Sequence, residues 1–355
     1  MNQELLKQCM DVAQVWATDP VFDAETRESV KNMMNDEDKS LLIDSFYQTL
    51  EFGTGGLRGI MGPGTNRMNI YTVGTATQGL ANYLKKNFAD REKISIVVGV
   101  DCRNNSDVFA ERVADIMAAN GIYVYLFEDM RPTPEVSFAI RHLKCQSGVN
   151  ITASHNPREY NGYKAYWEDG AQVIPPHDTG IISEVNKIKN VSDIKFNGNP
   201  ELIETIGEDI DTVFLDKIKA LSLSPSIVAK HKDLKIVYTP IHGTGMTLIP
   251  RALEIFGFKN VIRVDEQFVK RGDFPTVVSP NPEEPAAMKL AVEKAKAVDA
   301  DIVMASDPDA DRMGIAVKND KGEWILVNGN QTAQMFIYYL IRRNKELGRL
   351  KGNEY

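Results

Sequence analysis

Two consecutive α/β domains behind a short helical segment are what this 355-residue sequence predicts, and three observations point to them. Past the first seventy residues, apolar strand-like runs alternate with stretches of helical periodicity, the pattern of strand–helix–strand units. The length exceeds that of one ordinary compact domain. The order of elements also repeats weakly. A strand leads to Ala153-Ser154 in the first half and another to Ala305-Ser306 in the second. The repeat would bring two loops together where two α/β domains face each other.

The first fifty residues read as helices, broken near Asp19-Pro20 and again around Asn35 to Asp38. Leu5, Leu6, Cys9, Val12, Ala13 and Trp16 fall at helical spacing, as do Leu41, Leu42, Phe46 and Leu50. A helix near 75–87 leads to the apolar strand 94–100, and a helix near 107–119 ends at Asn120-Gly121, a stop signal. A strand at 122–127, a helix near 134–143 and a strand at about 147–152 complete the first unit. Ser154 then sits just past a strand's C-terminal end, the edge where ligands of open α/β sheets gather. Residues 186–215 are charged and weakly patterned, so a domain boundary belongs near 205–222.

The second unit repeats the alternation, with strands at 234–239, 260–264 and 301–305 and helices near 246–256 and 284–297. Short strands at about 313–318 and 323–327 close it. Asn328 to Leu347 reads as a helix with apolar residues on nearly every side, and such a helix expects burial.

Composition narrows the function. A hydrophobic share of 43% and a charged share of 25% are ordinary for a globular protein. The net charge of −8 argues against a general nucleic-acid binder, while local Arg and Lys residues leave an anionic substrate open. Cys9, Cys102 and Cys145 are odd in number and lack metal-ligand spacing, which fits a reducing cytoplasm. The start MNQELLKQ shows no signal-peptide pattern. No apolar run approaches the ~20 residues that span a bilayer.

Two motifs carry the chemistry. Asp307-Pro-Asp-Ala-Asp-Arg312 places three carboxylates at alternate positions, and crowding them calls for a hard cation such as Mg²⁺. An EF-hand loop would want Gly and Glu where Arg312 and Lys318 stand, so that reading fails. A solvated acidic turn is the plainer alternative. Thr152-Ala-Ser-His-Asn-Pro157 offers the Ser154 hydroxyl as a nucleophile. Ser154-His155 as a hydrolase pair is a weak reading, because neighbours on an extended strand point to opposite faces and the flanking glycines of a nucleophile elbow are missing. A nucleophile plus a metal-holding acidic loop suggests phosphoryl transfer.

These motifs, with Gly53-Thr-Gly-Gly-Leu-Arg-Gly59 before them, resemble those of the α-D-phosphohexomutase superfamily of phosphoglucomutases and phosphomannomutases. The strings Gly62-Pro-Gly-Thr-Asn-Arg-Met-Asn69 and Asn161-Gly-Tyr-Lys-Ala-Tyr-Trp167 look closest to the branch holding phosphopentomutases and related phosphoglucomutases. A lone glycine-rich loop is weak evidence, whereas three loops in the family's order are strong.

The resemblance implies mixed sheets sandwiched by helices, in domains at 1–205 and 206–326, with the start of a third at 327–355. It implies a phosphosugar mutase in which Ser154, phosphorylated at rest, exchanges its phosphoryl group with a sugar monophosphate through a bisphosphate intermediate that also serves as activator. Mg²⁺ would be held by Asp307, Asp309, Asp311 and a Ser154-phosphate oxygen. Arg58, Arg312 and Asn156 would bind phosphate or substrate, and Lys164 and His155 would flank the transfer. Lys164 is a candidate proton shuttle. His155 could act directly or orient the loop, and His242 reads as structural. A sugar-bisphosphate synthase using the same serine, or a non-catalytic phosphosugar-binding protein, are the alternatives. The expected partners are a phosphorylated sugar, no nucleic acid and no membrane, with self-association through an exposed C-terminal helix. Family members run through four domains, with sugar-selecting and phosphate-gripping loops in the last two. This chain alone is therefore expected to bind Mg²⁺ and turn over poorly, with its sugar undetermined.

Overall fold

The computed structural model describes residues 3–53 and 55–352. They divide into two bodies. The first runs to Asp129 and adds Val136–Ala153 and Glu159–Ile206, and the second takes Met130–Glu135, Ser154–Arg158 and the chain from Gly207 onward.

The first body opens with α1 (Gln3–Thr18), α2 (Ala24–Asn35) and α3 (Ser40–Phe46). Their apolar faces close on an aromatic cluster in which Trp16 stacks on Phe22 at 4.4 Å and meets Tyr71 edge-on at 5.5 Å. Tyr71 belongs to α4 (Ile70–Asn87), so this cluster joins the N-terminal helices to the rest of the body. Asn69 caps α4 by accepting from the Tyr71 and Thr72 amides, an arrangement that satisfies otherwise orphaned donors. The helix therefore starts five residues earlier than the sequence pattern suggested. Thr72, Gly74 and Thr75 are poor helix formers that hid its first turn.

Around these lie β1 (Gly56–Ile60), β2 (Ser95–Val100), α5 (Ser106–Ala119), β3 (Tyr123–Phe127), α6 (Thr133–His142, whose first residues to Glu135 belong to the second body), β4 (Ser147–Ile151), β5 (Tyr160–Trp167), α7 (His177–Val185) and β6 (Ile203–Ile206). The sheet order is β1-β5-β4-β2-β3-β6. β2 runs parallel to β3 and β4, while β5 runs antiparallel to β4 and to β1. β2 and β4 are buried at every position, which explains their continuous rather than alternating apolar character. Sequence patterning missed β1, β5 and β6. Glycines interrupt β1 and β5, and β6 is a four-residue edge strand without an apolar run.

The second body contains α8 (Glu208–Ala220), α9 (Pro225–Lys230), β7 (Lys235–Thr239), α10 (Gly245–Phe256), β8 (Asn260–Arg263), α11 (Pro285–Val298), β9 (Ile302–Ser306), β10 (Met313–Lys318), β11 (Trp324–Val327) and α12 (Gly329–Glu346). Its sheet order is β11-β10-β9-β7-β8. The core gathers Val237, Val303, Ala305 and Ala316 of the sheet under Met288, Ala291 and Ala295 of α11.

The internal repeat is visible in these topologies. The run β5-β4-β2-β3 of one sheet matches β10-β9-β7-β8 of the other, each with three parallel strands and an antiparallel fourth. Ser154 follows β4 and the acidic loop follows β9, the same place in the two units.

The C-terminal helix is expected to seek burial from its all-round apolar character and to be exposed as an association surface. The structure shows it exposed: Ile337, Tyr338 and Ile341 of α12 are 58%, 65% and 56% exposed. Its attachment to the second body includes Tyr339 donating to Ser224 Oγ at 2.8 Å and Arg343 donating to the Leu223 carbonyl at 2.9 Å. Composition states what a helix would prefer to bury, but only neighbouring elements can cover it. Among the described residues no helix is long and apolar enough to cross a membrane.

Candidate active site

β9 and β10 pair antiparallel through Ser306 and Met313, so the six residues between them must turn within a hairpin. The Ala310 amide donates to the Asp307 carbonyl at 3.0 Å, the Arg312 amide donates to Asp307 Oδ1 at 3.0 Å, and Ala310 takes a left-handed φ of 54°. Folding the loop back on itself in this tight turn draws three alternate side chains together. One carboxylate oxygen each from Asp307, Asp309 and Asp311 lies within 4.8 Å of the others.

Asp307 and Asp309 are buried and Asp311 is exposed. A solvated acidic turn is thereby removed as an explanation. Burial first, and then the charges of Asp309 and Asp311, push the Asp307 carboxyl well above the usual carboxylate range. Such an arrangement is costly unless a cation offsets it. An all-oxygen donor set, two members of which are desolvated, fits a hard divalent ion of the Mg²⁺ class.

Ser154 belongs to the same body. It is buried and sits in a turn with φ of 51°, a strained conformation for a residue with a side chain. Its hydroxyl donates to Asp307 Oδ2 at 2.7 Å and also lies 3.2 Å from His155 Nδ1. The strand-based objection to a Ser154–His155 contact is therefore incorrect. The left-handed turn at Ser154 ends the extended geometry on which it rested. Asn156 follows, half-buried, and Arg312 is exposed at the end of the acidic loop.

The acidic loop is held from two directions. On one, the Thr133 amide donates to the Asp309 carbonyl at 2.8 Å and the Thr133 hydroxyl to Asp309 Oδ2 at 2.9 Å. On the other, the Thr244 amide donates to the Pro308 carbonyl at 2.8 Å. A Cβ on Gly243 would stand 2.3 Å from Pro308 Cα, so only glycine allows this approach. His242 is fully buried in this turn, its two ring nitrogens 3.0 Å from the Val269 carbonyl and 2.9 Å from Thr276 Oγ1. Burial holds its imidazole below the ordinary value. Sequence reasoning missed Thr133. The only signal was Pro-Thr-Pro at 132–134, which reads as a helix start.

Arg58 and Lys164 lie in the first body. β1 pairs with β5 so that Gly56 faces Lys164 and Arg58 faces Gly162. Both cations line one cavity of about 430 Å³ together with Thr152, Tyr163 and Gln172. Gly56 has φ of 137°, and a Cβ there would meet the Tyr163 carbonyl oxygen at 1.7 Å. Arg58 is exposed and Lys164 is buried. Thr54 of the glycine-rich loop lies outside the described residues. Thr152, two residues before the serine, donates to Asp101 Oδ2 at 2.6 Å, and the Arg103 Nε lies 3.3 Å from the same carboxylate. This buried pair was also missed, since an Asp-Cys-Arg string has no periodic or spacing signal of its own.

The family model for domain I of phosphoglucomutase/phosphomannomutase, of alpha/beta/alpha type, matches residues 49–192, and the model for domain II matches residues 212–322. A phosphopentomutase from Homo sapiens is 38% identical over 333 residues, covering 90% of this chain and 54% of the relative. A glucose 1,6-bisphosphate synthase from Mus musculus is 36% identical over 337 residues, again covering 90% and 54%. The chain thus spans about half the length of these curated relatives. Among solved structures, a candidate phosphomannomutase from Thermus thermophilus superposes with a TM-score of 0.70 at 25% identity. That match covers 83% of this chain and 62% of the other.

Proposed function

Because this chain belongs to the phosphoglucomutase/phosphomannomutase family, we propose that it carries the phosphoserine chemistry of a phosphosugar mutase. The reaction moves a phosphoryl group between position 1 and position 5 or 6 of a sugar by way of Ser154 and a sugar bisphosphate, which is also the activator. The single observation carrying this reading is the Ser154 hydroxyl, 2.7 Å from Asp307 Oδ2 at the edge of a buried carboxylate cluster.

In the forward step the bond between phosphorus and Ser154 Oγ breaks as the bond to a sugar hydroxyl oxygen forms. The hydroxyl proton passes to a base, for which Lys164 and His155 are the candidates, and the departing Ser154 Oγ takes up a proton to return to the hydroxyl. Asp307, Asp309 and Asp311, with an oxygen of the phosphorylated serine, would hold Mg²⁺. A bound Mg²⁺ supplies neutralisation of the charge on the transferring group. Arg58 and Arg312 offer planar, permanently charged forks for phosphate oxygens, and Asn156 adds a neutral donor. We assign residues 1–205 and 206–326 to the phosphoserine and metal-loop domains and 327–355 to the opening of a third. Three free, buried cysteines suit a reducing cytoplasm, and the apolar face of α12 is the surface through which the chain would self-associate.

Intact-mass measurement after incubation with glucose 1,6-bisphosphate and Mg²⁺ tests the proposal. One phosphate should appear on the chain and be missing from Ser154→Ala. Absence of phosphate from both, with the protein folded, overturns it. The relationship to a glucose 1,6-bisphosphate synthase favours a second reading, in which the same serine is charged by another phosphoryl donor. Net interconversion of the two sugar monophosphates with only a trace of bisphosphate present selects the mutase, whereas formation of bisphosphate that requires a different phosphoryl donor selects the synthase.

A further inference from the structure

We propose that Thr133 is a positioning residue of the metal loop, clamping Asp309 at both its backbone and its carboxylate so that the ligand is aimed before the cation arrives. The inference rests on the reading of Asp307, Asp309 and Asp311 as the metal site.

Asp307 is tied into the loop by its own turn, through bonds to the Ala310 and Arg312 amides. Asp309 sits at the tip, beside the left-handed Ala310, and is gripped from another part of the chain. The Thr133 amide holds its carbonyl at 2.8 Å and the Thr133 hydroxyl holds Oδ2 at 2.9 Å. The first bond fixes the peptide plane, and the second fixes the rotation of the carboxylate about its own axis. A donor on one carboxylate oxygen thereby sets where the other oxygen points. Outer-shell bonds of this kind orient metal ligands in proteins generally.

Thr133 is itself immobilised. It is buried, its β-branched side chain is stiff at χ1, and prolines on both sides restrict its backbone. Two residues earlier, buried Arg131 donates through Nε to Asp211 Oδ1 at 2.7 Å and stands 4.0 Å from Glu135. Asp211 also accepts from Arg251 Nη1 at 3.1 Å, joining α8 to α10. The clamp is therefore mounted on a rigid ionic support within the same body. A free loop would have to lose carboxylate rotation on binding the metal, and here that loss is already met by folding.

Calorimetric titration of the full chain with Mg²⁺ tests this, alongside metal-free thermal melts. Thr133→Val keeps the shape and the amide but removes the hydroxyl, and it should weaken Mg²⁺ binding by roughly tenfold. Thr133→Ser keeps the hydroxyl and should stay within about threefold of wild type. Should Thr133→Val fail to fold, Thr133→Ala reads the same missing hydroxyl. A variant that melts lower yet binds Mg²⁺ as wild type does would reduce Thr133 to a merely structural residue and overturn the proposal. Asp307→Asn separates the two levels of inference. If it abolishes Mg²⁺ binding while Thr133→Val leaves it unchanged, only the clamp is wrong. If Asp307→Asn binds normally, the metal site falls and the clamp with it.

Discussion

Asp307 and Asp309 are acidic, adjacent and buried, so their side chains repel each other until something neutralises them. Asp309→Asn should therefore move two measurements in opposite directions. Mg²⁺ affinity should fall at least about tenfold, while the metal-free melting temperature should rise because one buried charge is gone. A lower melting temperature with unchanged affinity would mean that the cluster is structural. Glu135 poses a similar problem away from the cluster. Burial first, and then neighbouring Asp211, push its carboxyl up to about 9 from an ordinary 4.5. Between those values the folded state binds more protons than the unfolded state, so stability should fall as pH rises through that window. Glu135→Gln carries no titrating proton and should flatten the dependence by up to about 1.4 kcal/mol per pH unit. Urea unfolding of both proteins at about pH 5 and about pH 8 measures it, and parallel curves would show that Glu135 does not carry the proton.

At the scale of elements, the site depends on turns that bring backbones closer than side chains permit. In the turn between β7 and α10, Gly243 lies against Pro308 with no room for a methyl group, a Cβ falling 2.3 Å from Pro308 Cα. Gly243→Ala should displace the acidic loop, lowering stability by about 1–3 kcal/mol and weakening Mg²⁺ binding. A loss of stability with intact Mg²⁺ affinity would show that the loop keeps its shape without this support. Gly56 plays the corresponding part in the β1–β5 pair that carries Arg58 and Lys164. Its backbone conformation suits glycine alone, and a Cβ would overlap the Tyr163 carbonyl. Gly56→Ala should leave the acidic loop's Mg²⁺ affinity untouched while reducing phosphate transfer to Ser154. Equal labelling of the variant and the wild type would argue that Arg58 and Lys164 take no part.

For the whole molecule, the least settled surface is α12, where Met335, Phe336, Ile337, Tyr338 and Ile341 are all exposed. So many exposed apolar side chains concentrated on one helix favour association. Light scattering across a concentration series should show self-association, and the double variant Ile337→Lys/Ile341→Lys should remove it. A monomer at every concentration in the wild type would dismiss this face as an association surface. The net charge of −8 sets only a weak repulsion against such contacts, since salt screens charges beyond ~10 Å.

Local pattern determined a great deal by itself. The periods of helix and strand placed most elements within a residue or two, and the glycine and capping signals after Ala119 and Phe256 marked helix ends that the structure shares. The acidic and serine motifs were legible because each is written in consecutive residues. Tertiary structure alone decided the rest, wherever partners are far apart in the chain. Ser154 meets Asp307 across 153 positions and Thr133 meets Asp309 across 176. No periodicity within a window of ten or twenty residues can encode such a pairing. The same limit hid β1 and β5, which are strands because they pair with each other and with β4. Nor could local pattern alone decide whether α12 is covered, since a residue's apolar character is its own but its burial belongs to whatever packs against it.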